Sequence, residues 1–312
     1  MTARPKNKSL IKRLFRREYA PLYLMAAPAF VYMLVFNYAP MFGVILAFEK
    51  FNVQKGFFGS EFIGLKNFQF LFATTDAFII TRNTVLYFFA YLIMGTLLAL
   101  ITALMLSMLR SKRTAKAFQT FYLMPYFLSW SVVAVAVNAL ISKGGGVDTL
   151  LQYFGVTPFA ESWYMTRSFW PPFLIFISAW KNVGYNVVLY LAVISGISVE
   201  LYESAMVDGA NKWKQAWHIT LPHLRFIVTI TIIMAMGGIV RGDFGLHFTV
   251  TRDTGYLYPV TDIIDTYIYR GLRTANIGMS SAAGLYQSSV GMIMILLANW
   301  VVTKIDPERA MF

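Results

Sequence analysis

Six long apolar stretches constrain this chain more than any other feature of its sequence. A helix that crosses the hydrocarbon core of a bilayer needs about 20 consecutive, mostly apolar residues. Only 13% of the residues are charged, whereas soluble domains carry about 25%. We therefore predict an all-α integral membrane protein with six transmembrane helices, at Leu22–Phe48, Val85–Leu109, Phe121–Ile141, Trp170–Ile197, Leu224–Val240 and Ala283–Thr303. A continuation of the fifth helix to about Phe248 stays open.

The distribution of Lys and Arg predicts the orientation of these spans. Basic residues concentrate on the cytoplasmic side of membrane proteins. Here they are dense in the N-terminal tail, in the 2–3 and 4–5 loops and after the sixth span. Both termini and the 4–5 loop are therefore predicted to be cytoplasmic. The chain divides into a basic tail (1–20), a six-helix transmembrane domain (21–304) containing a cytoplasmic segment at 198–222, and a short cytoplasmic tail (305–312).

Several classes of function are disfavoured by the composition. The net charge of +12 does not indicate a nucleic-acid partner, because the basic residues cluster at span ends without interleaved aromatic residues. No cysteine is present, which excludes disulfides and cysteine metal sites. No paired carboxylates, HExxH motif or nucleophile–base pair stands in or beside the spans. We therefore predict a chain that is not an enzyme and that binds no metal or cofactor, with membrane lipid as its surroundings.

The polar segment 198–222 is patterned like two short helices joined by a turn. Ser198 is a predicted N-cap, and Glu200 lies in the first turn, where a negative charge is favourable. Gly209 permits a turn that a larger residue would resist. Lys212–Ile219 predicts a second helix, and we expect Pro222 both to end it and to start the next span.

Trp213 and Trp217, one turn apart, would give this second helix an apolar side. An amphipathic helix of this kind commonly lies among the lipid headgroups. The alternative is that the segment docks into a groove on a soluble partner. Composition alone favours the headgroup interpretation.

The spacing of the segment resembles a known signature. Glu203-Ser204-Ala205 is followed by Gly209 four residues after Ala205, and the segment ends in Ile219-Thr220-Leu221-Pro222. The pattern is similar to the cytoplasmic Glu-Ala-Ala signature of the permease subunits of ABC importers. Asp208-Gly209-Ala210 also matches the common form, and Ser204 is a small-for-small departure from it.

The resemblance extends along most of the chain and indicates the sugar type of permease. The motif Gly64-Leu65-Lys66-Asn67-Phe68 is similar to one in an outer loop of sugar-type permeases. The motifs similar to the polysaccharide and lipo-oligosaccharide branch are Asp262-Ile263-Ile264-Asp265-Thr266-Tyr267-Ile268-Tyr269-Arg270, Ala282-Ala283-Gly284-Leu285-Tyr286-Gln287-Ser288 and Lys304-Ile305-Asp306-Pro307-Glu308. The resemblance implies the type I, MetI-like permease fold in a bacterial cell membrane. It also implies an ATP-driven importer of oligosaccharides or polysaccharide fragments.

By the same resemblance, the chain would form half of the translocation pathway. Its implied partners are a second, homologous permease in a heterodimer, two ATPase subunits that bind ATP and Mg²⁺, and an extracellular solute-binding protein. The residues expected to couple to the ATPase are Glu203, Ser204, Ala205, Asp208, Gly209, Trp213, Trp217, Ile219, Leu221 and Pro222.

The residues expected to line the substrate pathway lie in the fourth span and at the outer end of the fifth. They are Trp180, Lys181, Asn182, Tyr185, Arg241, Asp243 and Phe244. Ionisable groups within a span are costly and usually face a cavity or a partner. Two interpretations of Lys181 stay open, since it would either contact substrate or bind backbone carbonyls of a neighbouring helix. Likewise, Arg241 and Asp243 would either contact sugar or neutralise each other.

Two alternatives belong beside this prediction. An ion-coupled secondary sugar transporter would usually show intramembrane acids, and the six predicted spans contain essentially no Asp or Glu. An ABC permease for a solute other than a sugar would share the same coupling segment.

Overall fold

A computed structural model describes residues 19–157 and 162–305 of this chain. Within them, six helical stretches are long and apolar enough to cross a membrane, as expected from the sequence. They are Ala20–Phe48, Asp76–Ser107, Trp130–Tyr153, Arg167–Ser195, Lys212–Met236 and Ile277–Leu297. The predicted basic tail up to Glu18 and the motif residues Asp306-Pro307-Glu308 lie outside the described residues.

Shorter elements connect these spans. The 1–2 loop holds a two-stranded antiparallel sheet, in which Glu49–Lys50 pairs with Glu61–Phe62. The third stretch consists of two helices, Trp130–Ile141 and Gly146–Tyr153, with a turn between them. The connecting helices are Gly56–Gly59, Lys66–Ala73, Lys112–Leu123, Val199–Val207, Tyr258–Thr261 and Ile264–Arg273. The last span continues as one helix over Ile277–Ile305.

The second span begins at Asp76 and not at Val85, as the sequence had suggested. The polar residues before Val85 are helical because the 5–6 loop packs against them. Asn83 Nδ2 donates to the Asp262 carbonyl oxygen at 2.9 Å, and Ile264 N–H donates to Thr84 Oγ1 at 3.1 Å. These bonds allow polar side chains to be buried in a helix next to an apolar span.

The third span is not the continuous helix that was predicted over Phe121–Ile141. The helix Lys112–Leu123 is followed by a 3₁₀ turn, Met124–Phe127, and a new helix begins at Trp130. Pro125 disfavours a continuous α-helix because it lacks a backbone N–H. Ser129 then caps the new helix, since its Oγ accepts the Val132 N–H at 3.3 Å.

The fifth span ends at Met236, so the predicted extension to Val240 and beyond is wrong. Residues 237–240 form a turn, residues 241–243 are irregular, and helical structure resumes over Gly245–Val250. The adjacent Gly237 and Gly238 weaken the helix at this point. In addition, Asp265 Oδ2 accepts the Gly242 N–H at 2.8 Å, which replaces a helical bond.

The second and fourth spans form the centre of the bundle. On one side, small residues such as Ala99 and Ala103 allow them to approach, with Val187 and Tyr190 fully or almost fully buried between them. The first span packs against the sixth mainly through its second half, Ala39–Phe48. No residue of Ala20–Met33 is buried within this chain.

Candidate functional site

The first helix of the segment 198–222 has defined caps at both ends. Ser198 Oγ accepts the Glu200 N–H at 3.3 Å, as the sequence predicts for an N-cap. At the other end, Gly209 N–H donates to the Met206 carbonyl at 3.1 Å, and Ala210 N–H donates to the Ala205 carbonyl at 2.8 Å. This pair of bonds is a Schellman motif, which requires a left-handed residue. Gly209 provides it, with a φ of 74°.

The second helix of the segment differs from the prediction at its far end. Asn211 caps it by accepting the Lys214 N–H, and Lys212–Gln215 is α-helical. A π-helical turn, Ala216–Thr220, then leads directly into the helix of the fifth span. Pro222 therefore does not end the helix. It lies in the first turn of Leu221–Met236, where a missing N–H is tolerated.

The two halves of the segment are tied to each other. The Tyr202 hydroxyl and Thr220 Oγ1 share a hydrogen bond of 2.9 Å. Buried Gln215 donates from Nε2 to the Ala210 carbonyl at 3.1 Å. A cavity of about 190 Å³ separates these residues from the ends of the second and fourth spans. The segment is therefore a folded unit held against the bundle on one side.

Most of the predicted coupling residues are exposed on this unit. Trp213 and Trp217 expose 70% and 67% of their surface, which is unusual for the largest aromatic side chain. The other exposed members are Glu203, Ser204, Asp208, Gly209 and Pro222, whereas Ala205, Ile219 and Leu221 are half-buried. Two exposed tryptophans on a capped, folded unit fit a protein-docking surface.

Lys181 lies buried within the fourth span. Its ammonium Nζ donates to the Tyr126 carbonyl at 3.0 Å and lies 5.2 Å from the centre of the Trp130 ring. The acceptor belongs to the 3₁₀ turn that interrupts the third span, so the lysine pairs a carbonyl that the turn leaves without a helical donor. This contact agrees with the second interpretation of Lys181, in which the side chain binds a backbone carbonyl of a neighbouring helix.

Three of the predicted pathway residues line one cavity of about 360 Å³ between the second, fourth and fifth spans: Asn182, Arg241 and Asp243. Asn182 Nδ2 donates to the Ser178 carbonyl at 3.0 Å. Asp243 Oδ1 accepts the Leu246 N–H at 3.1 Å and so caps the short helix after the break. Arg241 and Asp243 do not form an ion pair with each other within the described residues.

The three predicted aromatic residues do not line this cavity. Tyr185 stacks on Tyr126 with ring centres 5.2 Å apart, and Trp180 is 39% exposed. Phe244 packs between Phe248 and the ring of Tyr269, with ring centres 5.0 and 4.9 Å away. Trp180 and Asn182 are two residues apart in one helix, so their side chains point to different sides of it.

A charged cluster in the 5–6 loop was not singled out from the sequence. Arg270 forms ion pairs with Asp253 at 3.1 Å and with Asp262, and it lies 3.9 Å from the centre of the Tyr258 ring. Burial raises the pKa of Asp262, although the hydrogen bond and charge of Arg270 oppose that shift. The signals in the sequence were the motif Asp262–Arg270 and the balance of three Arg and three Asp in this loop.

The described residues contain no group of three His, Asp and Glu side chains arranged to hold a metal ion. His247 is buried and already has two partners. Its Nδ1 lies 2.7 Å from the Thr261 carbonyl, and its Nε2 lies 2.9 Å from the Tyr91 hydroxyl.

Comparison with known proteins identifies relatives over nearly the whole chain. It is 32% identical over 305 residues to the polygalacturonan/rhamnogalacturonan transport system permease protein YteP of Bacillus subtilis (strain 168), covering 97% of this chain and 93% of that protein. A bacterial ABC transporter involved in the import of the acidic polysaccharide alginate matches in structure, with a TM-score of 0.83 and 30% identity over 96% of this chain and 100% of that chain.

The bacterial alginate ABC transporter in complex with alginate pentasaccharide-bound periplasmic protein matches equally well. Its TM-score is 0.82 at 30% identity, over 96% of this chain and 98% of that chain. These matches confirm the predicted permease fold. Residues 95–307 match the family described as binding-protein-dependent transport system inner membrane component. This chain therefore belongs to the family of inner membrane components of binding-protein-dependent transport systems.

Proposed function

We propose that this chain is a permease subunit of an ATP-driven importer for oligosaccharides or polysaccharide fragments. It forms half of the translocation pathway, together with a second, homologous permease. A solute-binding protein outside the membrane delivers the sugar. Two ATPase subunits, which bind ATP and Mg²⁺, supply the energy through the segment 198–222.

The observation that carries the coupling role is the construction of this segment. A transmitted movement requires a rigid unit that is joined firmly to a span and open to a partner. The Schellman turn at Gly209, the Tyr202–Thr220 hydrogen bond and the continuous helix from Lys212 into the fifth span supply the rigidity. The exposed Trp213 and Trp217 supply an apolar surface for the partner.

The substrate class rests on the relatives. The named relative transports polygalacturonan and rhamnogalacturonan, and the solved importers carry alginate. Each of these is a polysaccharide system, and each match covers more than nine tenths of this chain. Oligosaccharides are therefore the favoured cargo over a solute that is not a sugar. The family membership disfavours an ion-coupled secondary transporter.

Two substitutions in the segment test the coupling role. Gly209→Val places a β-branched residue at a φ of 74° and disrupts the turn. Glu203→Lys reverses an exposed charge without touching the fold. We expect either change to reduce oligosaccharide uptake to background in proteoliposomes that contain the full complex. Membrane insertion of this chain should be unchanged.

Gly144→Val is the matched control. Gly144 has a φ of 75° and open space around its α-carbon, as Gly209 does, but it lies in an outer loop. The two valine variants therefore share the same backbone strain and differ in their location. Normal uptake with both Gly209→Val and Glu203→Lys would refute the coupling role.

A further inference from the structure

Arg241 is an exposed residue that lines the cavity between the second, fourth and fifth spans, and its guanidinium is left without a partner among the described residues. It makes no hydrogen bond or ion pair with any described residue. It lies in the irregular stretch 241–243, where the helix of the fifth span is broken. Irregular backbone at membrane depth is tolerated where it lines a cavity or is buried in protein. An arginine at such a break normally faces a cavity or a partner.

Two carboxylates close to Arg241 in sequence or beside the same break, Asp243 and Asp265, accept backbone hydrogen bonds. Asp265 Oδ2 accepts the Gly242 N–H at 2.8 Å, and Asp243 Oδ1 accepts the Leu246 N–H at 3.1 Å. Asp243 also interacts electrostatically with Lys181, the other cation of the region. The carboxylates therefore fix the shape of the break, and the positive charge of Arg241 is not neutralised by an ion pair.

The other polar groups around Arg241 are largely occupied as well. The cavity of about 360 Å³ has four hydroxyl-bearing residues in its wall, namely Thr84, Tyr87, Tyr91 and Ser178. Three of these hydroxyls are already bonded, to the Ile80 carbonyl, the Val260 carbonyl and His247 respectively. Arg241 also lines a second cavity, of about 400 Å³, beside the sixth span. Arg241 lines both cavities, and its guanidinium is a hydrogen-bond donor without a partner among the described residues.

We propose that Arg241 binds a carboxylate of the passing sugar, so that this permease is selective for acidic, uronate-containing oligosaccharides. The inference rests on the proposed function and adds the charge of the cargo to it. A guanidinium presents paired N–H donors that match both oxygens of a carboxylate. A neutral hydroxyl accepts a hydrogen bond at a single oxygen and carries no opposite charge, so it lacks both the paired geometry and the ion-pair attraction of a carboxylate.

The test is direct binding to the purified, ATP-bound complex without the solute-binding protein, whose own selectivity would otherwise intervene. The probes are a fluorescent hexuronate oligosaccharide and the same molecule with its carboxyl groups reduced to alcohols. For the unaltered complex, we expect the charged probe to bind at least ten times more tightly than the neutral one. Arg241→Gln should weaken the charged probe about tenfold and change the neutral one less than about twofold.

Arg241→Lys and Arg273→Gln complete the experiment. The lysine variant keeps the positive charge but lacks the paired N–H donors of a guanidinium. It should therefore recover part of the preference for the charged probe. Arg273 is exposed in the 5–6 loop, so Arg273→Gln removes the same charge at a distance and should change neither affinity. Equal loss of both probes, or loss of assembly with the second permease, would overturn the proposal. An unchanged preference in Arg241→Gln would do the same.

The outcomes separate this inference from the proposed function. If the unaltered complex binds the neutral oligosaccharide as tightly as the acidic one, the importer function stands and the charge selectivity is wrong. If it binds neither probe and does not import oligosaccharides, the proposed function itself fails.

Discussion

Lys181 illustrates how one buried charge is accommodated in a membrane-spanning bundle. Its ammonium bonds to the Tyr126 carbonyl, lies over the Trp130 ring and interacts electrostatically with Asp243. Tyr126 and Trp130 belong to the interrupted third span, and Asp243 follows the fifth. The side chain therefore connects the fourth span to the interrupted third span and to the break in the fifth.

We expect Lys181→Met to lower the thermal stability of the purified complex. The substitution leaves the Tyr126 carbonyl without its donor, which costs about 1–3 kcal/mol for a buried polar group. The measurement is the apparent melting temperature in detergent, followed by tryptophan fluorescence. Lys212→Met, at an exposed lysine, is the control and should have little effect. A loss of uptake with unchanged stability would instead assign Lys181 to substrate contact.

At the scale of elements, the helices are interrupted where proline, glycine and specific side chains coincide. The third span breaks at Pro125, and Ser129 restarts it. The fifth span breaks at Gly237, and Asp265 holds the irregular backbone that follows. The break in the fifth span places Arg241, Gly242 and Asp243 in the wall of one cavity.

Gly184 allows the fourth span to contact the interrupted third span. A β-carbon at this position would lie 2.1 Å from the Tyr122 carbonyl oxygen, so the backbones could not approach. We expect Gly184→Ala to destabilise the protein by about 1–3 kcal/mol, the usual cost of overpacking. Gly95→Ala is the matched control, because that helical glycine has open space around it. It should be neutral or stabilising by about 0.5–1 kcal/mol.

Both variants are compared by their apparent melting temperatures in the same detergent. Equal melting temperatures for Gly184→Ala and the unaltered protein would show that the two spans separate without cost. The predicted contact between them would then be wrong.

At the scale of the whole molecule, the 5–6 loop joins spans that are distant in sequence. Asn83, in the second span, donates to the Asp262 carbonyl, while the Asp262 carboxylate pairs with Arg270. Arg270 also pairs with Asp253, so one cation holds two parts of the loop. This cluster ties the 5–6 loop to the second span.

We expect Arg270→Met to be strongly destabilising at neutral pH. It would leave the Asp262 side chain, only 7% exposed, without its counter-ion. Removing one partner of a buried pair costs about 3–5 kcal/mol. Burial already raises the pKa of Asp262 with Arg270 present. In the variant, loss of Arg270 should raise the pKa of Asp262 further. The loss of stability is therefore largest when the carboxylate is ionised, and it shrinks as the pH falls and the carboxyl takes up a proton.

Melting temperatures at pH 7 and pH 5 test this prediction. The difference in melting temperature between Arg270→Met and the unaltered protein should be smaller at pH 5 than at pH 7. Arg273→Met, at an exposed arginine of the same loop, should show no such difference. A difference that is independent of pH would indicate a packing defect and not an unpaired carboxylate.

Much of the site was predictable because its determinants are local. The caps of the coupling segment depend on Ser198 and Gly209 and on their immediate neighbours. The surface position of Trp213 and Trp217 follows from a polar segment between two spans. The predicted end of the second helix at Pro222 was wrong, because a π-helical turn can precede a proline and keep the helix continuous.

The sequence by itself determined the number of spans, the fold class and the caps at Ser198 and Gly209 in the segment 198–222, since runs of apolar residues and capping residues act over one or a few helical turns. The tertiary structure alone decided where the third and fifth spans break and which polar groups meet. The partners of Lys181, Asp265 and Arg270 lie many residues away or on other elements. A lack of partner, as at Arg241, appears only when every neighbouring group has been placed, because ion pairs and hydrogen bonds depend on distances of a few ångströms.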